Sequence, residues 1–313
     1  MIEITLKDGS KKSFEKGTTI LDIAKSISEG LARAALAGEV DGEVKDLNTP
    51  INKDCQLNLL TFDSEGGKHT YWHTTSHIMA QAVKRLFPNV KLAIGPAIEN
   101  GFYYDFDIDK PFTPDDLKVI EEEMKKIIKE NLPIERFILS REEALKLMKD
   151  EPYKIELINE LPEDAEISFY KQGDFTDLCA GPHLPSTGMV KAVKLVQQAG
   201  AYWRGNENNK MLQRIYGISF PKASQLEEYL KMIEEAEKRD HRRLGKELGL
   251  FSFDEEVGPG LVLWHPKGAR VRMRIEDFWR QEHIKNGYDI VYTPHIGRGK
   301  LWETSGHLGF YKE

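Results

Sequence analysis

Cysteine is nearly missing from this chain, which has two in 313 residues, Cys55 and Cys179. Two thiols cannot form a disulfide framework, so both are expected to be free. Long apolar runs are missing as well. The first residues, Met1-Ile2-Glu3-Ile4-Thr5-Leu6, alternate in character and hold no secretory apolar core, and no stretch is long enough to cross a bilayer. A cytoplasmic protein without membrane contact is expected. Positive charge is in deficit. The net charge of -7 at pH 7 argues against a broad nucleic-acid surface, because holding phosphates takes a positive one. The local exception is Lys238-Arg239-Asp240-His241-Arg242-Arg243 with Lys246, which reads either as an RNA contact or as a solvated helix face.

What is present is ample material for a core. With 40% hydrophobic and 30% charged residues, a chain of 313 residues supports two or three globular domains. Two short stretches stand out chemically, His73-Thr74-Thr75-Ser76-His77 and Asp177-Leu178-Cys179-Ala180-Gly181-Pro182-His183. Each sets two side chains suited to metal ligation or proton transfer four positions apart. The first lies at the start of a predicted helix whose Ile78, Met79, Ala82, Val83 and Leu86 gather on one side. His73 and His77 fall on the other side, where they are either solvated or covered by a second layer. In the second stretch, Gly181 and Pro182 fix a turn. Cys179 there is either a small buried packing residue or part of a site with His183.

Local signals divide the chain. In residues 1–62, Ile2, Ile4 and Leu6 alternate into a hairpin at Asp8-Gly9, and Thr18 or Thr19 caps a helix with Ile20, Ile23, Ala24 and Ile27 on one face. Asp41-Gly42 marks another hairpin, and 56–62 reads as a closing strand. A polar, glycine-bearing linker is expected at 63–68. Residues 63–224 form an α+β unit with strands at 92–94, 102–108, 167–170, 190–196 and 211–218. Its helices start at Thr113-Pro114 and at the capping box Ser140-Arg141-Glu142-Glu143. One long charged helix is expected over 225–248. Its apolar positions are Leu226, Leu230, Ile233, Leu244 and Leu248, and residues 225–242 serve as a linker. In 243–313, Pro266 opens a helix with Val271, Ile275, Phe278 and Trp279, Gly287 stops it, and a strand is expected at 288–293.

His73 to His77, the run 92–107, the turn 177–183 and the run 199–217 together resemble the editing domain of bacterial threonyl-tRNA synthetases. Residues 1–62 are similar to the ubiquitin-like TGS domain, a β-grasp fold, and 243–313 look like the opening of a class II synthetase catalytic domain with motif 1. The resemblance implies a multidomain α+β protein with an antiparallel-sheet catalytic domain at its end. It also implies threonine ligation to tRNA(Thr) by a longer homodimeric enzyme that uses ATP, magnesium and one zinc ion. The motif 2 and motif 3 arginines and the zinc ligands of that chemistry are not found within 1–313, so ligation is not expected of this chain.

For residues 63–224 the resemblance implies hydrolysis of mischarged Ser-tRNA(Thr). A pocket gains only about 1–3 kcal/mol from the one methyl that separates threonine from serine, so a second, hydrolytic site is needed. His73 and His77 are candidates to orient or deprotonate the water. Lys154 matches the family's editing lysine, Asp177 is a candidate for the serine ammonium, and Cys179, His183 and Tyr104 would shape the pocket. No cofactor is expected for editing; the alternative is zinc on His73, His77, Cys179 and His183. A rival of another class is a non-catalytic tRNA-binding module with structural zinc, in which Arg270, Arg272 and Arg274 join the basic run.

Overall fold

The computed structural model describes residues 1–310, so the last three residues of the expected 243–313 segment lie outside the described residues. The chain divides into two units, Met1–Leu230 and Lys231–Glu313. Among the described residues no helix is long and apolar enough to cross a membrane.

The first unit begins with a five-stranded mixed sheet. Ile2–Leu6 pairs antiparallel with Lys11–Phe14 through the Asp8-Gly9 turn and parallel with Cys55–Leu60. Cys55–Leu60 also pairs with Ala37–Val40, and Glu43–Lys45 forms the edge. Helix Ile20–Ile27 starts where Thr19 accepts the Asp22 amide, and it buries Ile20, Ile23 and Ala24 against Ile2, Ile4 and Leu57. This is the expected β-grasp, with its closing strand at Cys55–Leu60 and ending short of Phe62.

The expected linker is not one. Helix Glu65–Leu86 starts where Ser64 accepts the Gly67 amide at 3.2 Å, taking 65–68 into its first turn. Gly66 and Gly67 serve close approach here: a Cβ on Gly67 would lie 1.9 Å from the Thr61 carbonyl oxygen. The predicted apolar face is buried, but so are Thr70, Tyr71, Trp72, Thr74 and Thr75. The far side is covered by a second layer, which overturns the solvated reading of His77.

Two sheets supply that cover. In one, Ala192–Tyr202, Met211–Phe220, Gly101–Asp107 and Lys91–Leu92 run in that order; in the other, Ile134–Leu139, Ile167–Gln172 and Phe175–Leu178 do. The end of Met211–Phe220 holds the histidine-bearing helix. Tyr71 donates to the Phe220 carbonyl at 2.8 Å and Trp72 Nε1 to the Ser219 carbonyl at 2.9 Å. Helix Pro114–Glu130 starts at Thr113 as expected, where Thr113 and Asp116 also form a capping box, and it buries Leu117, Ile120, Met124 and Ile127. Helix Arg141–Leu147 likewise starts at Ser140 with Glu143. Helix Pro152–Glu160 was not expected.

The single long helix over 225–248 is two, Ala223–Lys238 and His241–Glu247. Asp240 has left helical geometry and caps the second by accepting the Arg242 amide at 2.8 Å, so its own carboxylate makes the break. In the second unit, helix Pro266–Lys285 forms as expected and Gly287 follows with φ +83°. Its Val271, Ile275, Phe278 and Trp279 are all more than half exposed. The strand expected at 288–293 is absent, because among the described residues nothing pairs with it. The only sheet in this unit among the described residues is Phe251–Ser252 with Leu263–Trp264.

Candidate active site

All seven residues singled out in the first unit meet in one place. His73 and His77 come from helix Glu65–Leu86, one turn apart with ring centroids 5.1 Å apart. Tyr104 comes from strand Gly101–Asp107 and Asp177 from Phe175–Leu178. Cys179 and His183 follow in the turn that leaves that strand, and Lys154 lies in the first turn of helix Pro152–Glu160.

Cys179 Sγ sits between two imidazoles, 3.3 Å from His73 Nε2 and 3.2 Å from His183 Nε2, and accepts the Gly181 amide at 3.2 Å. Thr74 sets the proton on His183. Its hydroxyl donates to the Thr70 carbonyl at 2.9 Å, so it can only accept from His183 Nδ1 at 3.1 Å, as it does from the Leu184 amide at 3.0 Å. The Nδ1 proton is thereby fixed and the Nε2 lone pair is left facing the sulfur.

The other half of the site is ionic. Lys154 Nζ lies 2.6 Å from Asp177 Oδ1, and Tyr104 donates to Asp177 Oδ2 at 2.6 Å. The lysine contact is ionic rather than directional, since Oδ1 takes no hydrogen bond. Lys154 is 3% exposed and Asp177 1%, so the pair is out of water. A lysine in a helix's first turn opposes the helix dipole, and the carboxylate offsets this. Glu151, just before the helix, anchors it by accepting the Leu92 amide at 2.7 Å and pairing with Lys84. The Asp177 carboxylate is thus taken up by Lys154 and Tyr104, with His77 Nε2 3.8 Å from Oδ2. Both carboxylate oxygens are buried against these groups.

Burial holds His73 and His183 well below the ordinary imidazole value, assisted by neighbouring imidazoles. The Pro182 backbone opposes the shift at His73 without completing a hydrogen bond to Nδ1, which is buried and unpartnered. Burial brings His77 to about 4 against the pull of Asp177. It pushes the Cys179 thiol up to about 12. Burial also works to raise Asp177, but the Lys154 ammonium, His77 and the Tyr104 hydrogen bond outweigh it and hold the carboxyl below its usual value. At neutral pH the site therefore holds three uncharged imidazoles, a thiol and a carboxylate, with the Lys154 side chain against that carboxylate. Uncharged imidazoles accept protons, and a lysine ammonium beside them can steady a developing oxyanion.

The donor atoms of His73, His77, Cys179 and His183 lie within 4.8 Å of one another. Three imidazole nitrogens and a sulfur are a chemically suitable zinc set, and the lone pair that Thr74 leaves on His183 Nε2 fits it.

The basic run and Arg270, Arg272 and Arg274 belong to the other unit, where Lys238 pairs with Glu234, Arg242 with Asp240, Arg243 with Glu247 and Arg272 with Glu276. Three residues in contact with the site were missed: Thr74, Asp46 and Tyr170. Only Thr74 carried a signal, as a hydroxyl inside the His-x-x-x-His stretch.

Residues 2–61 match the TGS domain, and residues 167–216 match the family described as threonyl and alanyl tRNA synthetase second additional domain. Over 312 residues the chain is 65% identical to a threonine–tRNA ligase of Caldanaerobacter subterraneus subsp. tengcongensis, covering 99% of this chain and 48% of that protein. From end to end the chain is similar to part of a threonine–tRNA ligase. The threonine–tRNA ligase of Acetivibrio thermocellus is likewise 65% identical, over 315 residues that take in 100% of this chain and 49% of the relative. That of Desulforamulus reducens is 62% identical over the same shares. The chain thus spans about half the length of the synthetases it matches.

Proposed function

We propose that residues 63–224 hydrolyse the ester of mischarged Ser-tRNA(Thr). The observation that carries this is the convergence of three uncharged imidazoles on the buried Lys154–Asp177 pair. His73 accepts the proton of the attacking water. Lys154 steadies the carbonyl oxygen as it becomes negative, and Asp177 keeps Lys154 and Tyr104 in register. Cys179 and His183 wall the pocket. On attack a C–O bond forms to water and the serine ester bond to the terminal ribose breaks, so the products are serine and an uncharged tRNA end.

The surrounding assignments follow the same likeness to threonine–tRNA ligases. Residues 1–62 are the TGS domain, 225–242 a linker, and 243–313 the beginning of a catalytic domain. The longer cytoplasmic enzyme joins threonine to tRNA(Thr) as a homodimer with ATP, magnesium and zinc. The test of the hydrolytic site is cleavage of Ser-tRNA(Thr) against Thr-tRNA(Thr) by the 313-residue chain. Selective loss of the seryl ester supports the reading, and equal stability of both esters overturns it.

A second reading is favoured by the donor set of His73, His77, Cys179 and His183 and by the His183 tautomer. Zinc held there would supply Lewis-acid chemistry or brace the turn. Metal analysis of protein purified without added zinc separates the two readings, since one zinc per chain that survives dialysis belongs only to the second.

A further inference from the structure

The turn that carries Cys179 and His183 is held from outside the domain that contains it. Asp46, in the loop between Glu43–Lys45 and Pro50–Ile51 of the β-grasp domain, accepts the His183 amide on Oδ1 at 2.6 Å and the Tyr170 hydroxyl on Oδ2 at 2.7 Å. The Tyr170 ring lies 4.4 Å from the His183 imidazole. It also closes on Gly181, where a Cβ would stand 2.0 Å from the Tyr170 hydroxyl oxygen. The loop bearing Asp46 is itself firmly seated. The next residue, Leu47, is 0% exposed in the β-grasp core, and its carbonyl accepts the Leu21 amide at 2.8 Å.

We infer that Asp46 is a positioning residue of the hydrolytic site, through which the β-grasp domain sets the placement of His183 and thereby of Cys179. The inference rests on the proposed hydrolytic reading for its kinetic arm only. Asp46 touches the backbone of His183 and the hydroxyl of Tyr170, so it acts through them and not on the ester. Partners that orient a site residue from outside the site typically matter by about 10- to 100-fold in activity, and Asp46 does so through the His183 backbone and the Tyr170 hydroxyl.

The test uses the full chain with Asp46→Ala, Asp46→Asn and Tyr170→Phe. Two readouts are taken: single-turnover deacylation of Ser-tRNA(Thr), and the iodoacetamide alkylation rate of Cys179 followed on its own peptide. Asp46→Ala is expected to lower the deacylation rate at saturation about 10- to 100-fold with little change in half-saturation, and to raise Cys179 alkylation several-fold as His183 leaves the sulfur. Asp46→Asn still accepts the His183 amide and can donate to Tyr170, so it recovers most of both, and Tyr170→Phe falls between. Unchanged rate and unchanged alkylation in Asp46→Ala overturn the inference, as does an Asp46→Asn variant as impaired as Asp46→Ala. If Asp46→Ala does not fold, Asp46→Asn and Tyr170→Phe decide by the same readouts. If the unsubstituted chain cleaves neither ester, the hydrolytic reading fails, while Cys179 alkylation still decides on Asp46.

Discussion

Lys154 and Asp177 are buried together as an ion pair. Removing one partner of a buried pair leaves the other uncompensated, at about 3–5 kcal/mol, whereas removing both can be nearly neutral. Lys154→Met is therefore expected to destabilise the first unit by that order, and Lys154→Met with Asp177→Asn to recover most of it; urea unfolding of the three proteins measures this. Deacylation stays lost in both, so stability and chemistry separate at this residue. For His73→Ala, loss of the proton acceptor predicts at least about a 100-fold drop in single-turnover rate, and an unchanged rate removes His73 from the mechanism. Acid sensitivity follows from the buried imidazoles. A histidine held below its unfolded value binds its proton more weakly when folded, so stability is fully present above about 6.5 and declines as pH falls toward about 4 for His77. That shift corresponds to roughly 3 kcal/mol, and chelator-treated protein unfolded in urea at pH 7 and pH 4.5 should show most of the loss. His73, His77, Cys179 and His183 stood out in the sequence by their spacing, whereas Lys154, Asp177 and Tyr104 were singled out through the resemblance to the editing domain. Asp46 and Tyr170 stood out by neither, because their contacts with His183 join positions far apart in the chain and leave no local trace.

Helix Glu65–Leu86 is buried on almost every side, and it begins where glycines suggested a linker. Gly66 and Gly67 were legible as breakers and illegible as close-packing residues, since the Leu60 and Val44 side chains beside Gly66 and the Thr61 carbonyl beside Gly67 are brought there by tertiary structure. Gly67→Ala is expected to cost about 1–3 kcal/mol through overpacking, seen as a lower thermal midpoint; a neutral result would mean that the helix start yields easily. Elements with strong end signals were read correctly, as at Thr113-Pro114 and Ser140 to Glu143. Helix Pro152–Glu160 has no side-chain cap and buries only Tyr153, Lys154 and Ile158, so its pattern carried little periodicity. The break at Asp240 was hidden by charge: an aspartate amid basic residues reads as surface until its carboxylate is seen capping the Arg242 amide.

Across the whole molecule, the proposed chemistry is confined to Met1–Leu230, which has its own cores. A chain ending at Lys238, the last residue of its helix, is expected to keep a cooperative melting transition and single-turnover cleavage of the seryl ester. Loss of cleavage with melting unchanged would place tRNA presentation in the remaining residues. The binding-module reading would instead show tight tRNA binding that falls steeply with salt. The pins from Tyr71 and Trp72 to the strand ending at Phe220 bear on synthesis as well. The ribosome delivers the histidine-bearing helix roughly 150 residues before the carbonyls that receive it, and domains are made from the amino end forward. A nascent chain paused before Ser219 carries its histidines with no finished site around them, so the proposed ester cleavage would switch on late in translation, only after Phe220 has cleared the exit tunnel.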